Sequence, residues 1–407
     1  MEVADVFRQY QQEFFARWGH TLSAQQRKAF RDICACRTAA LGARLEQCNY
    51  CSCQSTQFHS CRNRHCPKCQ STARDQWLAR TARELLPVPY SHVVFTIPGS
   101  LSPLVLQNAK RIYDLLFRCV SETLLTIARD KRRLGADLGF LAVLHTWNQK
   151  MLHHPHLHCL VPAGGLSPDR SCWIRCRKRF FLPGHVLGKM FRGKFLALLA
   201  AAFRRNQLRL SGQLQFLQQP NAFDRFLRSL RKPKWVVEVR PPFGGPEHVL
   251  RYLARYTHRV AISNGRLIEM REGQVTFRWR DSADHNTQKR MTVEAVESIR
   301  RLLLHVLPAG FVKIRHFGFL ANCQRGEALK LCVALLRAAP PPDLLTARQR
   351  NAIERRCPCC NIGTLCLLGY VAKGCVNHPA ALDSHSWIPP DGLSLQHKPT
   401  TPPIALC

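Results

Sequence analysis

Two Cys-x-x-Cys pairs near the amino terminus restrict this chain more than any other feature. Cys48-Asn-Tyr-Cys51 and Cys66-Pro-Lys-Cys69 are separated by 14 residues. Each pair can wrap one edge of a tetrahedral ion, so Cys48, Cys51, Cys66 and Cys69 read as one four-thiolate zinc site that shapes a small module. Cys36, Cys53, Cys61, His59 and His65 are spare donors, which leaves a second ion or a swapped ligand open; Cys53 reads as an ordinary thiol. The 20 cysteines fall in two groups, eight from Cys34 to Cys69 and eight from Cys323 to Cys407, with four between. The opening MEVADVFRQYQQEFF has acids and no apolar signal core. Paired spacing in such a chain favours zinc in a reducing cytoplasm over a disulfide framework. Cys357-Pro-Cys-Cys360-Asn-Ile-Gly resembles half a knuckle, but no partner Cys-x-x-Cys follows it, only the separate Cys366 and Cys375 and the terminal Cys407.

Charge narrows the partner. Sixty Lys and Arg against 26 Asp and Glu leave a net +34, far more than solubility requires. Releasing the counterions of a nucleic acid is the natural use of such an excess. A membrane is the lesser candidate, because the longest apolar run, Phe195 to Phe203, is much shorter than the ~20 residues that span a bilayer. Between the cysteine pairs, Arg62, Arg64 and Lys68 supply charge suited to DNA phosphates.

The chemistry concentrates in two stretches. His156-Leu-His158 runs into the apolar Cys159-Leu-Val161, which reads as a buried strand. Alternate residues of a strand share a face, so His156 and His158 project together, about 7 Å apart along the backbone, where both can reach one ion. Tyr252 and Tyr256 stand four apart in RYLARYTHR, a helical segment, and share a face. Arg251, Arg255 and Arg259 interleave with them, which a core-facing stripe would seldom tolerate. Around these stretches the pattern runs strand (91–98), helices (101–133), strand (140–147), histidine strand, two basic helices (184–230), strand (234–239), tyrosine helix and a hairpin (266–279) turning near Glu272-Gly273. This predicts an α+β fold: an antiparallel sheet with flanking helices over 88–310, preceded by the helical lead-in and zinc module of 1–86. A region with the cysteine half-knuckle (311–377) and a proline-rich tail expected to be disordered (378–407) follow.

The stretches CRTAALG, SCRNRHCPKCQ, HVVFTIP, LHTWNQ, HPHLHCLVPAGGL, YLARYTHRVAISN and HVLPAGFVKIRHFGFLAN cover about residues 36–325. In that order they resemble the rolling-circle transposases of the insertion-sequence-91 family, within the HUH (His-hydrophobic-His) nucleases. Ala163 and Asn148 are small departures that do not touch the chemistry. The resemblance implies His156 and His158 as ligands of a catalytic Mg²⁺ or Mn²⁺, and Tyr252 and Tyr256 as paired nucleophiles. It also places the family's zinc module on Cys48, Cys51, Cys66 and Cys69. Magnesium and manganese want further donors, and of His145, Gln149 and His154 the preferred third ligand is Gln149. The implied activity is nicking and rejoining of single-stranded DNA at element ends through a 5′-phosphotyrosine, in the bacterial cytoplasm at the nucleoid. Two other readings stay open: a replication initiator with the same chemistry, and a zinc-containing DNA-binding regulator without catalysis.

Overall fold

The computed structural model describes residues 1–177, 181–245, 248–249, 260–281, 283–337, 356–374 and 387–388. In chain order, helices α1 (Val3–Gln9), α2 (Gln11–Trp18) and α3 (Ala24–Ala35) precede strands β1 (Ala43–Cys48) and β2 (Gln54–Phe58). Helix α4 (Gln70–Ala82) leads to β3 (Tyr90–Thr96), then α5 (Ser102–Gln107), α6 (Ala109–Arg129), β4 (Gly139–Trp147) and β5 (His153–Pro162). Short strands β6 (Gly164–Leu166) and β7 (Trp173–Arg175) are followed by α7 (Gly184–Arg204), α8 (Pro220–Ser229) and β8 (Val237–Phe243). Beyond residue 260 come β9 (Leu267–Arg271), β10 (Gln274–Asp281), β11 (Thr287–Glu294), α9 (Ala295–Leu303), β12 (Ile314–Gly318), α10 (Arg325–Leu336), β13 (Leu365–Val371) and β14 (Trp387–Ile388).

These elements form two compact units. The first comprises Met1–Cys34 and Asn63–Leu345; the second comprises Ala35–Arg62 and Thr346–Cys407.

The first unit is built on a five-stranded sheet in the order β12-β4-β5-β3-β8, antiparallel at every pairing. Both of its faces carry an apolar cluster. Val93, Phe95, Phe140, Ala142, Leu144, Leu157, Cys159 and Val161 point to one face and join the main core. Helix α6 covers them because Ile112, Leu116, Val120 and Leu124 recur at helical spacing, and Phe191 and Phe195 of α7 add aromatic area. The opposite face carries Tyr90, Leu141, Val143 and Leu160, packed with Leu86, Val249, Phe319 and Cys332. This α+β architecture is the one expected. The hairpin also forms as read, with β9 and β10 paired from Arg271↔Gln274 across Glu272-Gly273.

Two local readings shift. Strand β8 starts at Val237 rather than Lys234, because Trp235 is drawn into the core and its Nε1–H donates to the Leu230 carbonyl at 2.9 Å. Residues 314–318, unassigned from sequence, pair with β4 and make an edge strand of the sheet.

In the second unit, β1 lies inside a sheet ordered β14-β13-β1-β2. Its neighbours come from opposite ends of the chain: Ala43 pairs with Phe58 on one side and with Val371 on the other.

Candidate active site

Strand β5 is central in the first unit's sheet, and its alternation decides the site. Leu157, Cys159 and Val161 fill the main core with no exposed surface, which turns His156 and His158 to the other face. The register sets His145 of β4 opposite His156, and Val143 opposite His158. Ligand nitrogens of His145, His156 and His158 thereby fall within 4.8 Å of one another. The ring centroids of His145 and His158 are 4.5 Å apart, and those of His156 and His158 are 4.8 Å apart. Trp147 stacks on His145 at 4.7 Å and holds that ring from the side.

Hydrogen bonds orient the rings. His156 Nδ1 donates to the His154 carbonyl at 2.6 Å, which fixes the tautomer with Nε2 as the donor for an ion. His158 Nδ1 and His92 Nε2 are 2.8 Å apart, their rings parallel within 7°. A ring nitrogen tied to a neighbour is the usual device for aiming a ligating imidazole. Burial holds His156 down to about 4 and His92 to about 3, and it pushes His158 well below the ordinary imidazole value. All three are therefore neutral near pH 7, the form that offers a lone pair to a cation.

The third donor brought to the pair is His145. Gln149, the sequence preference, is exposed in the turn after β4, where its backbone carbonyl accepts a bond from the Arg266 guanidinium. Distance along the chain points to Gln149; strand register, unreadable from one strand, is what brings His145 to the pair. His92 was missed for the same reason, since β3 reaches β5 only through sheet pairing. Arg240 of β8 lies opposite His92 in register and pairs with Glu238 at 2.8 Å.

The basic residues between the cysteine pairs divide. Arg62 is exposed, with a left-handed φ of 52°. Arg64 is instead committed to the fold: its guanidinium donates to the carbonyls of Phe311 and Pro308, the latter at 2.7 Å. Lys68 forms an ion pair with Glu2. These two charges were expected to meet phosphate and are engaged by backbone and carboxylate. Tyr252 and Tyr256, with Arg251, Arg255 and Arg259, lie outside the described residues.

The expected zinc set is also rearranged. In the second unit, Cys48 and Cys51 stand with Cys357 and Cys360, all four sulfurs within 4.8 Å. Cys66 and Cys69 belong to the first unit, where Cys69 N–H donates to the Cys66 carbonyl at 3.1 Å as α4 begins. Cys53, read as an ordinary thiol, is joined to Cys359 by a disulfide. The spare donor His65 accepts a bond from Leu307 N–H at 3.3 Å.

Two family models match the chain. Residues 139–327 match the family model described as "Putative transposase", and residues 6–97 match the "Transposase zinc-binding domain". The chain is 50% identical over 375 residues to "Putative transposase y4qJ" of Sinorhizobium fredii, covering 89% of this chain and 94% of that protein. It is 29% identical over 347 residues to the transposase for insertion sequence element IS801 of Pseudomonas savastanoi pv. phaseolicola, covering 80% and 79%. No solved structure matches the chain. Among the described residues, no helix is long and apolar enough to cross a membrane.

Proposed function

Since the chain belongs to the insertion-sequence-91 family of transposases, we propose that it nicks and rejoins single-stranded DNA at element ends through a 5′-phosphotyrosine, with a divalent ion at His145, His156 and His158. The observation that carries this reading is the convergence of three imidazoles, His145 buried and His156 and His158 half-buried, on adjacent strands. The donor set fits a first-row cation; three nitrogens suit Mn²⁺ better than Mg²⁺, which prefers oxygen. When bound, such an ion supplies Lewis-acid polarisation of the scissile phosphate.

Everything else falls to the chain. His92 and the His154 carbonyl aim the rings of His158 and His156. Arg240, on the strand beside His92, brings a guanidinium suited to a phosphate oxygen. Tyr252 and Tyr256 are the nucleophiles. Val249, three residues before Tyr252, belongs to the buried cluster of Leu141, Val143 and Leu160. A phenol has a pKa of about 10 and attacks poorly until its proton is taken and the phosphate charge is offset. The tyrosine oxygen bonds to phosphorus, the bond to the 3′ oxygen breaks, and that oxygen leaves as a protonated hydroxyl. A later 3′-hydroxyl reverses the exchange, so rejoining needs no ATP. A second tyrosine can serve the second transfer while the first is occupied.

The test is covalent capture of a labelled single-stranded oligonucleotide carrying the element end. His156→Ala with His158→Ala, and separately Tyr252→Phe with Tyr256→Phe, should each abolish the adduct while DNA binding persists. An adduct formed by either double variant at the wild-type rate refutes the mechanism. A wild-type chain that binds but never attaches would favour the regulator without catalysis.

A further inference from the structure

We propose that Cys48, Cys51, Cys357 and Cys360 form one tetrathiolate zinc site, which clasps the carboxy-terminal segment to strand β1. The site deepens the zinc-binding reading of the family match and stands apart from the nicking reading. Residues 357 and 360 lie far outside the stretch 6–97 that matches the zinc-binding domain.

The sulfur spacing fits the edges of a tetrahedron. Four sulfurs about 2.3 Å from a central zinc stand about 3.8 Å apart along its edges. Cys48 and Cys360 sulfurs are 3.7 Å apart, and those of Cys51 and Cys357 are 3.6 Å apart. These are the contacts between the two Cys-x-x-Cys segments, as expected when each segment wraps one edge of the ion and the two edges cross.

The backbone around both pairs repeats one design. Tyr50 N–H points at Cys48 Sγ at 3.4 Å, and Cys359 N–H points at Cys357 Sγ at 3.4 Å. Gly363 N–H adds a third such bond, to Cys360 Sγ at 3.4 Å. Amide donors aimed at sulfur stabilise thiolates, the form that binds metal. After each second cysteine the chain turns through a left-handed residue, Ser52 with φ 55° and Asn361 with φ 56°. The approach leaves no spare room: a Cβ on Gly363 would lie 2.4 Å from Cys48 Sγ and 2.7 Å from Tyr50 Cβ.

Strand pairing explains why the knuckles meet. One follows the end of β1 and the other precedes the start of β13. The two strands are antiparallel with Cys48 opposite Leu365, so both knuckles sit at the same end of the pair. Asn49 fastens them further, its N–H donating to the Thr364 carbonyl at 3.1 Å and its Oδ1 accepting from Thr364 N–H at 2.8 Å. Cys53 and Cys359 are bonded to each other beside the set and are assigned no ligand role.

The experiment measures zinc in the purified full-length chain. Cys48→Ser with Cys51→Ser should lower zinc by about one ion per chain, as one tetrahedral site holds one ion. Cys357→Ser with Cys360→Ser should do the same, and all four substitutions together should lose that same single ion. Cys53→Ser should keep the wild-type content. Full zinc retention by either pair variant overturns the site, as does loss of two ions by the combined variant. A measurement on the wild type guards against variants that do not fold. Iodoacetamide labelling in reducing buffer should spare all four thiols, including the exposed Cys51, until a chelator exposes them together. Labelling of Cys357 and Cys360 while Cys48 and Cys51 stay protected overturns the proposal.

Discussion

At the scale of single residues, the site depends on which ring nitrogen faces which neighbour. His156 and His158 were legible because a strand's alternation is written in the sequence. His145 was legible only as one of three nearby donors, and His92 was not legible at all. The contact between His92 and His158 joins residues 66 apart in the chain, and one sequence carries no record of that pairing. Orientation of a ligating imidazole by a second side chain typically affects metal affinity by about 10–100-fold. His92→Phe is therefore expected to weaken Mn²⁺ binding by that order, with the fold retained because the ring is replaced by one of similar area. Gln149→Ala should leave it unchanged. Titration of Mn²⁺ by electron paramagnetic resonance reads both variants. A loss with Gln149→Ala and none with His92→Phe would reverse the assignment.

At the scale of elements, helices and central strands could be read because their patterns are local. Helix α6 shows its apolar stripe directly, and β5 its alternating faces. Edge strand β12 was missed because its residues, Ile314 to Gly318, are all half-buried and mix charge with apolar groups. What fixes it is a close approach to the backbone just before β4 rather than a pattern. Gly318 has a φ of +63°, and a Cβ there would fall 1.7 Å from the Leu138 carbonyl oxygen. Only glycine satisfies both demands. Gly318→Ala should thus destabilise the first unit by about 3 kcal/mol or more, in the range of large steric and backbone effects. Gly265→Ala, where an added Cβ meets no atom within 4 Å, should stay within about 1 kcal/mol. Urea unfolding compares the two, and equal midpoints would show that β12 tolerates displacement.

At the scale of the whole molecule, affinity for DNA and strand chemistry are expected to rest on different residues. The net charge of +34 was visible at once; the discontinuity of the second unit was not, because β1 and β13 meet across more than 300 intervening residues that a linear reading treats as distance. Attraction to DNA should come from many arginines and lysines, whereas strand attachment should depend on a few histidines of the sheet, of which His156 and His158 carry no charge near pH 7. These expectations lead to different behaviour under salt. Binding to single strands falls with a log–log slope of about −0.7 per neutralised phosphate, so six contacts imply roughly a 300-fold loss between 50 and 200 mM salt. The His156→Ala, His158→Ala variant should follow the same slope, with affinity within about twofold of wild type, while forming no covalent adduct. Fluorescence anisotropy with a labelled single strand measures the slope, and a denaturing gel measures the adduct. A shallow slope, or loss of affinity in the variant equal to its loss of attachment, would mean that the histidine site itself holds the DNA.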